Sequence, residues 1–257
     1  MTVPEKITPK TTVWSSDDLN SNPHQSVDKP ERVERMFSAI ARKYDLNNRL
    51  HSLWQDQIWR QKTVKAANLS IHDEVVDVAC GTGDLAMAFC REGAKSVIGV
   101  DFTHAMLEIA IDKAREVGLE IDYRQGDAMK LNLADESADI VSIAFGIRNV
   151  LKPQVAFNEF YRILRPSGRL VVLEFSTPKN NLMRKLNNFY IKKIMPTTAT
   201  VIAQDRSGAY KYLPKSVETF SGPEELAKMI EKSGFSNINH QPLTFGVCTI
   251  TAATKIL

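Results

Sequence analysis

"VVDVACGTGDLA", residues 75–86, decides the reading of this chain. An apolar run meets a small glycine-rich turn, and a helix-like segment follows. Runs of the same β-rich kind at 74–79, 96–101, 120–125, 139–145 and 169–175 alternate with helical stretches near 84–91, 104–117 and 153–164. That alternation predicts βαβ units and a mostly parallel sheet with helices on both faces. Two further β-rich runs, about 236–243 and 246–255, read as a closing antiparallel hairpin around Gly246. The expected fold class is α/β and Rossmann-like, with a seven-stranded sheet. Ligands of such sheets bind at the carboxyl ends of the strands. The tips at 79–84, 101–103, 126–128, 145–149 and 174–177 are therefore the candidate site.

The turn itself, with Ala79, Gly81, Thr82 and Gly83, matches the general G-x-G-x-x-A pattern of nucleotide-binding turns. Taken alone it says only that backbone approaches something closely. Asp77 narrows the choice. A carboxylate near the end of a buried strand is costly unless paired. It would repel a pyrophosphate and welcome an ammonium group. S-adenosylmethionine carries an α-ammonium and a sulfonium, so it suits this turn better than NAD does. Asp84 is a second acid at the same mouth, or a first-turn acid opposing the helix dipole. Asp101 ends the second strand, where a carboxylate can accept both ribose hydroxyls. Phe102 follows it. Asp127 and Ala128 end the third strand and could meet an adenine edge, although Asp also favours turns for its own sake.

The remainder bounds the function without choosing it. The chain has 257 residues, 43% hydrophobic and 25% charged, with a net charge of +3. This suits one soluble α/β domain and gives no basic block to bind nucleic acid. Cys80, Cys90 and Cys248 are too scattered for a disulfide framework or a zinc site, and a reducing cytoplasm is expected. Residues 1–27 have the composition of a disordered lead. A single domain is expected over 28–257. Its parts are a helical lid over 28–70, a core over 74–257, and acceptor-side insertions near 179–220. Val33, Met36, Phe37, Ile40, Ala41 and Tyr44 form one helical stripe. A break is expected at 45–48 before a second helix reaching about Lys65. The stretch 181–196 reads as a helix ending at Pro196, and 221–235 as the last clear helix, stopped by Gly234.

With these residues in place, the chain resembles the class I S-adenosylmethionine-dependent methyltransferases. More narrowly it resembles the ubiquinone/menaquinone biosynthesis C-methyltransferase family, from about Val33 to the end. "YDLNNRLHSLWQDQIW" is similar to the family's Y-D-x-M-N-x-x-x-S-x-x-x-H-x-x-W block. "ACGTGDLA" is the cofactor turn, and "FGIRNV" follows the fourth strand. "RILRPSGRLVVLEFSTP" resembles R-V-L-K-P-G-G-R-L-x-x-L-E-F-S-x-P, and "YKYLPKSVETF" resembles Y-x-Y-L-x-x-S-[IV]. The chain departs from the pattern at Asn47 (usually Met), Asp56 (His), Ser167 (the first Gly of the K-P-G-G) and Ala144 (Ser in some relatives).

The resemblance implies methyl transfer from S-adenosylmethionine to a ring carbon of a reduced, prenylated naphthoquinol or benzoquinol, without a metal. It implies cofactor contacts from Tyr44, Asp77, Ala79, Gly81, Thr82, Gly83, Asp101, Phe102, Asp127, Ala128 and Ala144. Arg148 is the expected oxyanion partner, with Asn149 positioning it or the acceptor. Asp56 stands where the family's His stands, and Tyr210 and Tyr212 where the acceptor pocket closes. Tyr44, Asp45 and Asn48 belong to the implied lid. His51 and His240 are read as structural or exposed. The isoprenoid tail implies peripheral contact with the inner face of a membrane, and 182–195 has the composition of an interfacial helix or of a sheet-covering helix with a basic side. A homodimer stays open. Three alternatives remain: a methyltransferase for another small molecule, an NAD-dependent oxidoreductase, or a non-catalytic member of a quinone-synthesis complex.

Overall fold

β1 (Glu74–Val78) has valine at three of its five positions and is buried along nearly its whole length. A strand of that kind needs neighbours on both edges and helices over both faces. It has them in the computed structural model, which describes residues 13, 14, 18, 22–195, 197, 198, 200 and 207–256. β1 pairs in parallel with β2 (Ser96–Asp101) on one edge and β4 (Ala138–Ala144) on the other. β3 (Asp122–Gln125) adds beyond β2, and β5 (Leu164–Phe175) beyond β4. β7 (Cys248–Lys255) pairs antiparallel with β5, and β6 (Phe235–Leu243) antiparallel with β7. The order β3-β2-β1-β4-β5-β7-β6 is the expected seven-stranded α/β sheet with its closing hairpin. Strand order reverses between β1 and β4, which opens a crevice at their carboxyl ends.

Successive residues of the central strands face opposite layers. Val76, Val141 and Val172 pack with Phe157, Phe160 and Ile230, from α5 (Pro153–Ile163) and α8 (Pro223–Lys232). Val75, Ile140 and Val171 pack with Trp59 and Phe89, from α2 (Gln55–Ala66) and α3 (Asp84–Arg91). Each fully buried side chain of this size contributes roughly 1.5–3 kcal/mol. α4 (His104–Glu116) links β2 and β3.

Several boundaries differ from expectation. α1 (Lys29–Ser52) is one helix with no break at 45–48. Asp45 and Asn48 look like helix breakers, but a polar residue breaks a helix only when its own backbone is its best partner. Asp45 has better partners, in Thr82 and Lys113. The turn falls instead at Leu53 and Trp54, both left-handed (φ 52 and 61). The lead is also packed where it is described. Trp14 is 1% exposed and stacks on Tyr212 with ring centroids 4.5 Å apart. One aromatic ring outweighs the polar residues around it. After β5, α6 (Asn181–Phe189) continues as a π-helical turn over Tyr190–Ile194. Its expected end, Pro196, lies outside the described residues. α7 (Ala209–Thr219) was legible only as a motif, because Pro214 sits inside it.

Candidate functional site

Gly81 and Gly83 serve different neighbours. Gly81 has φ 56, and a Cβ there would meet nothing within 4 Å. It faces an open cleft. Gly83 has φ 80, and a Cβ there would stand 2.2 Å from the Tyr123 hydroxyl. Only glycine fits beneath that ring.

The cleft in front of Gly81 encloses about 810 Å³, counting space open to solvent. The tips of four adjacent strands line it, through Ala79, Asp101, Phe102, Asp127, Ala128 and Ala144. Phe37, Met106 and Met129 add an apolar wall. Asp101 accepts from the Gly81 N–H through Oδ2 (2.7 Å) and from the Thr103 N–H through Oδ1 (2.8 Å). The carboxylate is thereby fixed at the cleft wall, and burial pushes its pKa up. Asp127 accepts from the Met129 N–H at 2.8 Å, as a turn residue does, and still lines the cleft.

Asp77 does not line the cleft. It is 1% exposed, and Oδ1 accepts from the Ser142 hydroxyl at 2.7 Å. Oδ2 has no partner among the described residues. Burial raises the carboxyl to about 7, against the Ser142 bond and the Arg60 charge. Asp77 stands behind the turn, a buried acid short of a donor. Thr82 is likewise withdrawn, because its hydroxyl donates to Asp45 Oδ1 at 2.6 Å. The side chains of Asp77 and Thr82 thus support the turn, and Gly83 packs beneath the Tyr123 ring.

A charged network pins α1 over that turn. Asp84 accepts both oxygens' bonds from Arg49 at 3.1 Å and one from Lys113 at 2.7 Å, with Arg60 at 3.7 Å. Burial would raise the Asp84 carboxyl, but Arg60, Lys113 and Arg49 outweigh it and hold it well below the usual range. Lys113 also reaches Asp45 at 2.5 Å. Asp84 is thus the hub of this network. None of Arg49, Arg60 or Lys113 stood out in the sequence.

A second cavity of about 950 Å³, again counting open space, lies beside the first. Tyr44 and Phe145 are the two residues that line both. Asp56, Arg148 and Tyr210 line the second cavity, with Trp59, Arg60 and Phe175. Asp56 is 3% exposed, accepting from Ser52 Oγ (2.7 Å) and Gln57 Nε2 (2.8 Å). Arg148 donates through Nη1 to Glu174 (2.7 Å) and to the Phe145 carbonyl (2.6 Å). Its Nε donor has no partner among the described residues. Burial raises the Glu174 carboxyl against the pull of Arg148. Lys29, 1% exposed, donates to the carbonyls of Arg148 (2.9 Å) and Val150 (2.8 Å) and fixes the turn that carries Arg148. Burial, aided by Arg148, lowers this ammonium to about 7.

Two acceptor-side expectations are corrected. Tyr212 is wholly buried and does not line the second cavity. It stacks on Trp14 and donates to Asn149 Oδ1 at 3.0 Å. Asn149 lines the first cleft, not the second. His51 and His240 are held by hydrogen bonds to Asn47, Thr198 and Thr251, and His51 also lines the second cavity.

Comparison with known proteins places this arrangement. A family model described as the ubiE/COQ5 methyltransferase family matches residues 25–255. The chain is 43% identical to a demethylmenaquinone methyltransferase of Thermus thermophilus, over 84% of this chain and 97% of that one. It is 38% identical to the ubiquinone/menaquinone biosynthesis C-methyltransferase of Geobacter sulfurreducens, over 90% and 91%. Among solved structures, a SAM-dependent methyltransferase of Thermotoga maritima superposes with a TM-score of 0.61 at 21% identity. It covers 86% of this chain and 99% of its own, and the likeness is one of fold.

Proposed function

Because the chain belongs to the ubiE/COQ5 methyltransferase family, we propose that it moves a methyl group from S-adenosylmethionine to a ring carbon of a prenylated quinol, demethylmenaquinol to menaquinol. One observation carries the reading: two cavities meet at Tyr44 and Phe145, one suited to a nucleoside and one walled by aromatic rings, a carboxylate and a guanidinium. The naphthoquinol is favoured over the benzoquinol because the Thermus thermophilus and Bacteroides fragilis relatives are demethylmenaquinone methyltransferases.

The first cleft fits the cofactor. Asp101 presents a fixed carboxylate for ribose hydroxyls, and Ala128, Met106 and Met129 form an apolar slot for a base, with Asp127 at its edge. Gly81 leaves room for the amino-acid end, and the unpartnered oxygen of Asp77 supplies negative charge from behind the turn. Once bound, S-adenosylmethionine supplies a methyl on a cationic sulfur. Tyr44 and Phe145 orient the two reactants, which must come within about 3–3.5 Å for in-line transfer. Arg148 holds the quinolate oxygen, whose charge feeds the attacking ring carbon. Asp56 receives the quinol proton, its carboxylate oriented by Ser52 and Gln57. After transfer the methylated ring carbon gives up its own hydrogen as a proton, the quinolate oxygen is reprotonated as the ring becomes aromatic again, and one proton leaves with the demethylated cofactor.

The prenyl tail puts the acceptor in lipid, so the enzyme works peripherally at the cytoplasmic face of a membrane. The exposed apolar residues of α6 support this. No helix among the described residues is long and apolar enough to cross a bilayer.

Two measurements test the reading. Calorimetry should detect S-adenosylhomocysteine binding, and Asp101→Ala should weaken it by roughly 1.5–3 kcal/mol, about ten- to a hundredfold. A deletion strain should accumulate demethylmenaquinone. Accumulation of a demethylated benzoquinone would move the acceptor to that class, and accumulation of neither would remove the quinol altogether.

A further inference from the structure

α6 and the turn after it carry two apolar rows where a covering helix needs one. Tyr190, Ile191 and Met195 face inward and line the acceptor cavity, along with Asn187. Leu182, Leu186 and Phe189 form a second row at helical spacing and face solvent, 62%, 55% and 60% exposed. No residue of α6 is buried.

Two other segments add to the same rim. Among the described residues, four phenylalanine and tryptophan rings are exposed: Trp54, Phe102, Phe189 and Phe245. Phe102 belongs to the cofactor cleft. The other three come from positions far apart in sequence, each within two residues of one that lines the acceptor cavity: Ser52, Tyr190 and Val247. Tyr190 donates to the His51 carbonyl at 3.0 Å, which seats the π-helical turn against the end of α1, three residues before Trp54. Trp59 donates to Thr244 Oγ1 at 2.8 Å, which ties α2 to the turn carrying Phe245. A Cβ on Gly246 would stand 3.4 Å from the Pro178 Cα, so this turn also abuts the chain entering α6.

The two turns share a backbone feature. Leu53, Trp54, Thr244 and Phe245 are all left-handed (φ 52, 61, 44 and 58), a conformation costly to residues with a Cβ. Each turn uses it to hold a large apolar side chain in water. Charge completes the pattern. No Asp or Glu occurs between Glu174 and Asp205, while Lys179, Arg184, Lys185, Lys192 and Lys193 all do. Arg184, Lys185 and Lys193 are exposed beside the apolar row.

We infer that Trp54, Phe245 and the Leu182–Leu186–Phe189 row form a docking ring that seats the mouth of the acceptor cavity on an anionic lipid surface. Protruding rings with a basic surround match the interface of a bilayer, where aromatics settle at headgroup depth and lysines meet anionic phosphates. The acceptor then enters without its tail leaving lipid. This inference rests on the prenylated-quinol reading only for that last step; the lipid contact stands on the surface itself.

The test uses the full chain with vesicles of phosphatidylcholine, alone or mixed with phosphatidylglycerol. The protein should cosediment with the mixed vesicles and much less with the neutral ones. Trp14 and Trp59 are buried (1% and 5% exposed), so a blue shift in tryptophan emission on adding vesicles reports Trp54, and Trp54→Phe should abolish it. The combined variant Trp54→Ser, Phe189→Ser, Phe245→Ser should bind more than about tenfold more weakly. Lys185→Glu with Lys193→Glu should remove the preference for phosphatidylglycerol. Turnover of a water-soluble short-chain quinol should be unchanged in both variants, while turnover of a long-chain quinol held in vesicles falls. Wild-type protein that ignores vesicles, or variants that bind as well as wild type, would overturn the inference. So would a wild-type dimer that the triple variant converts to monomer without affecting sedimentation, since the ring would then meet a second copy. Vesicle binding with no turnover of either quinol would instead count against the acceptor reading and leave the lipid face standing.

Discussion

Tyr44 of α1 and Phe145 beyond β4 stand between the cofactor cleft and the acceptor cavity, each lining both. Phe145 holds this place with left-handed backbone (φ 57) and with its ring packed 4.5 Å from that of Phe175. Tyr44 is braced by Phe37, at 5.9 Å between centroids. In the proposed reaction, a methyl group passing between the cavities crosses this partition. Removing one wall lets the reactants drift, and a misplacement of about 1 Å costs on the order of a hundredfold in rate. Phe145→Ala should therefore lower kcat by about that factor, with a much smaller change in S-adenosylhomocysteine affinity. Tyr44→Phe keeps the wall and should stay within a few-fold of wild type. Equal turnover in Phe145→Ala and wild type would show that the ring does not align the reactants.

Asp77 should give the apo protein an unusual pH dependence. Its carboxyl rises from 3.8 to about 7 on folding. Between those values the folded state binds more protons than the unfolded state, so stability falls as pH rises. Above about 7 the loss is complete. Denaturant titrations from pH 4 to 8 should show this decline, and Asp77→Asn should flatten it. The same variant should bind S-adenosylhomocysteine more weakly, because the negative charge behind the turn is gone. A wild-type profile that rises over this interval would mean that other carboxylates, Asp84 first among them, dominate the acid limb.

Ser167 stands where the family pattern has glycine, and its φ is 65. The position is exposed and lies where β5 shifts register against β4. Glycine adopts this backbone without a Cβ clash, though it loses more freedom on folding. Ser167→Gly should stabilise the protein by about 0.5–1 kcal/mol with turnover unchanged, read from chemical denaturation. A loss of stability would show that the serine side chain contributes more than the strain removes.

What could be read from the sequence was local. Gly81, Asp101, Asp127, Ala128 and Ala144 sit at strand tips, and strand periodicity alone brings them to one edge. Asp77 was legible as an oddity, a carboxylate in an apolar strand, but not as a residue behind the cleft instead of in it. Arg49, Arg60 and Lys113 look like ordinary solvated charges along helices. Their meaning depends on Asp84 and Asp45 meeting them across four helices. The same holds for Tyr212, whose ring was placed by Trp14, nearly two hundred residues away. Long-range pairings of this kind leave no periodicity and no spacing.

Arg148 carries the sharpest test of the acceptor site. It lines the second cavity, and its charge is held there by Glu174 at 2.7 Å and by the Phe145 carbonyl. These bonds make part of its role structural. Its Nε donor is buried and has no partner among the described residues. Lysine keeps the charge but lacks the planar fork, so it cannot brace Phe145 and Glu174 and also face a quinolate. Arg148→Lys should lower kcat by about ten- to a thousandfold, the scale of losing one oxyanion donor, with cofactor affinity little changed. Glu174→Gln separates the two roles. It leaves the guanidinium in place but strips its buried counter-charge, which should cost roughly 3 kcal/mol of stability. If the guanidinium acts on the quinolate, the folded Glu174→Gln enzyme should retain far more turnover than Arg148→Lys. Equal losses in both variants, with cofactor binding falling in parallel, would assign Arg148 to building the partition at Phe145 and leave the acceptor chemistry to Asp56 and Tyr210.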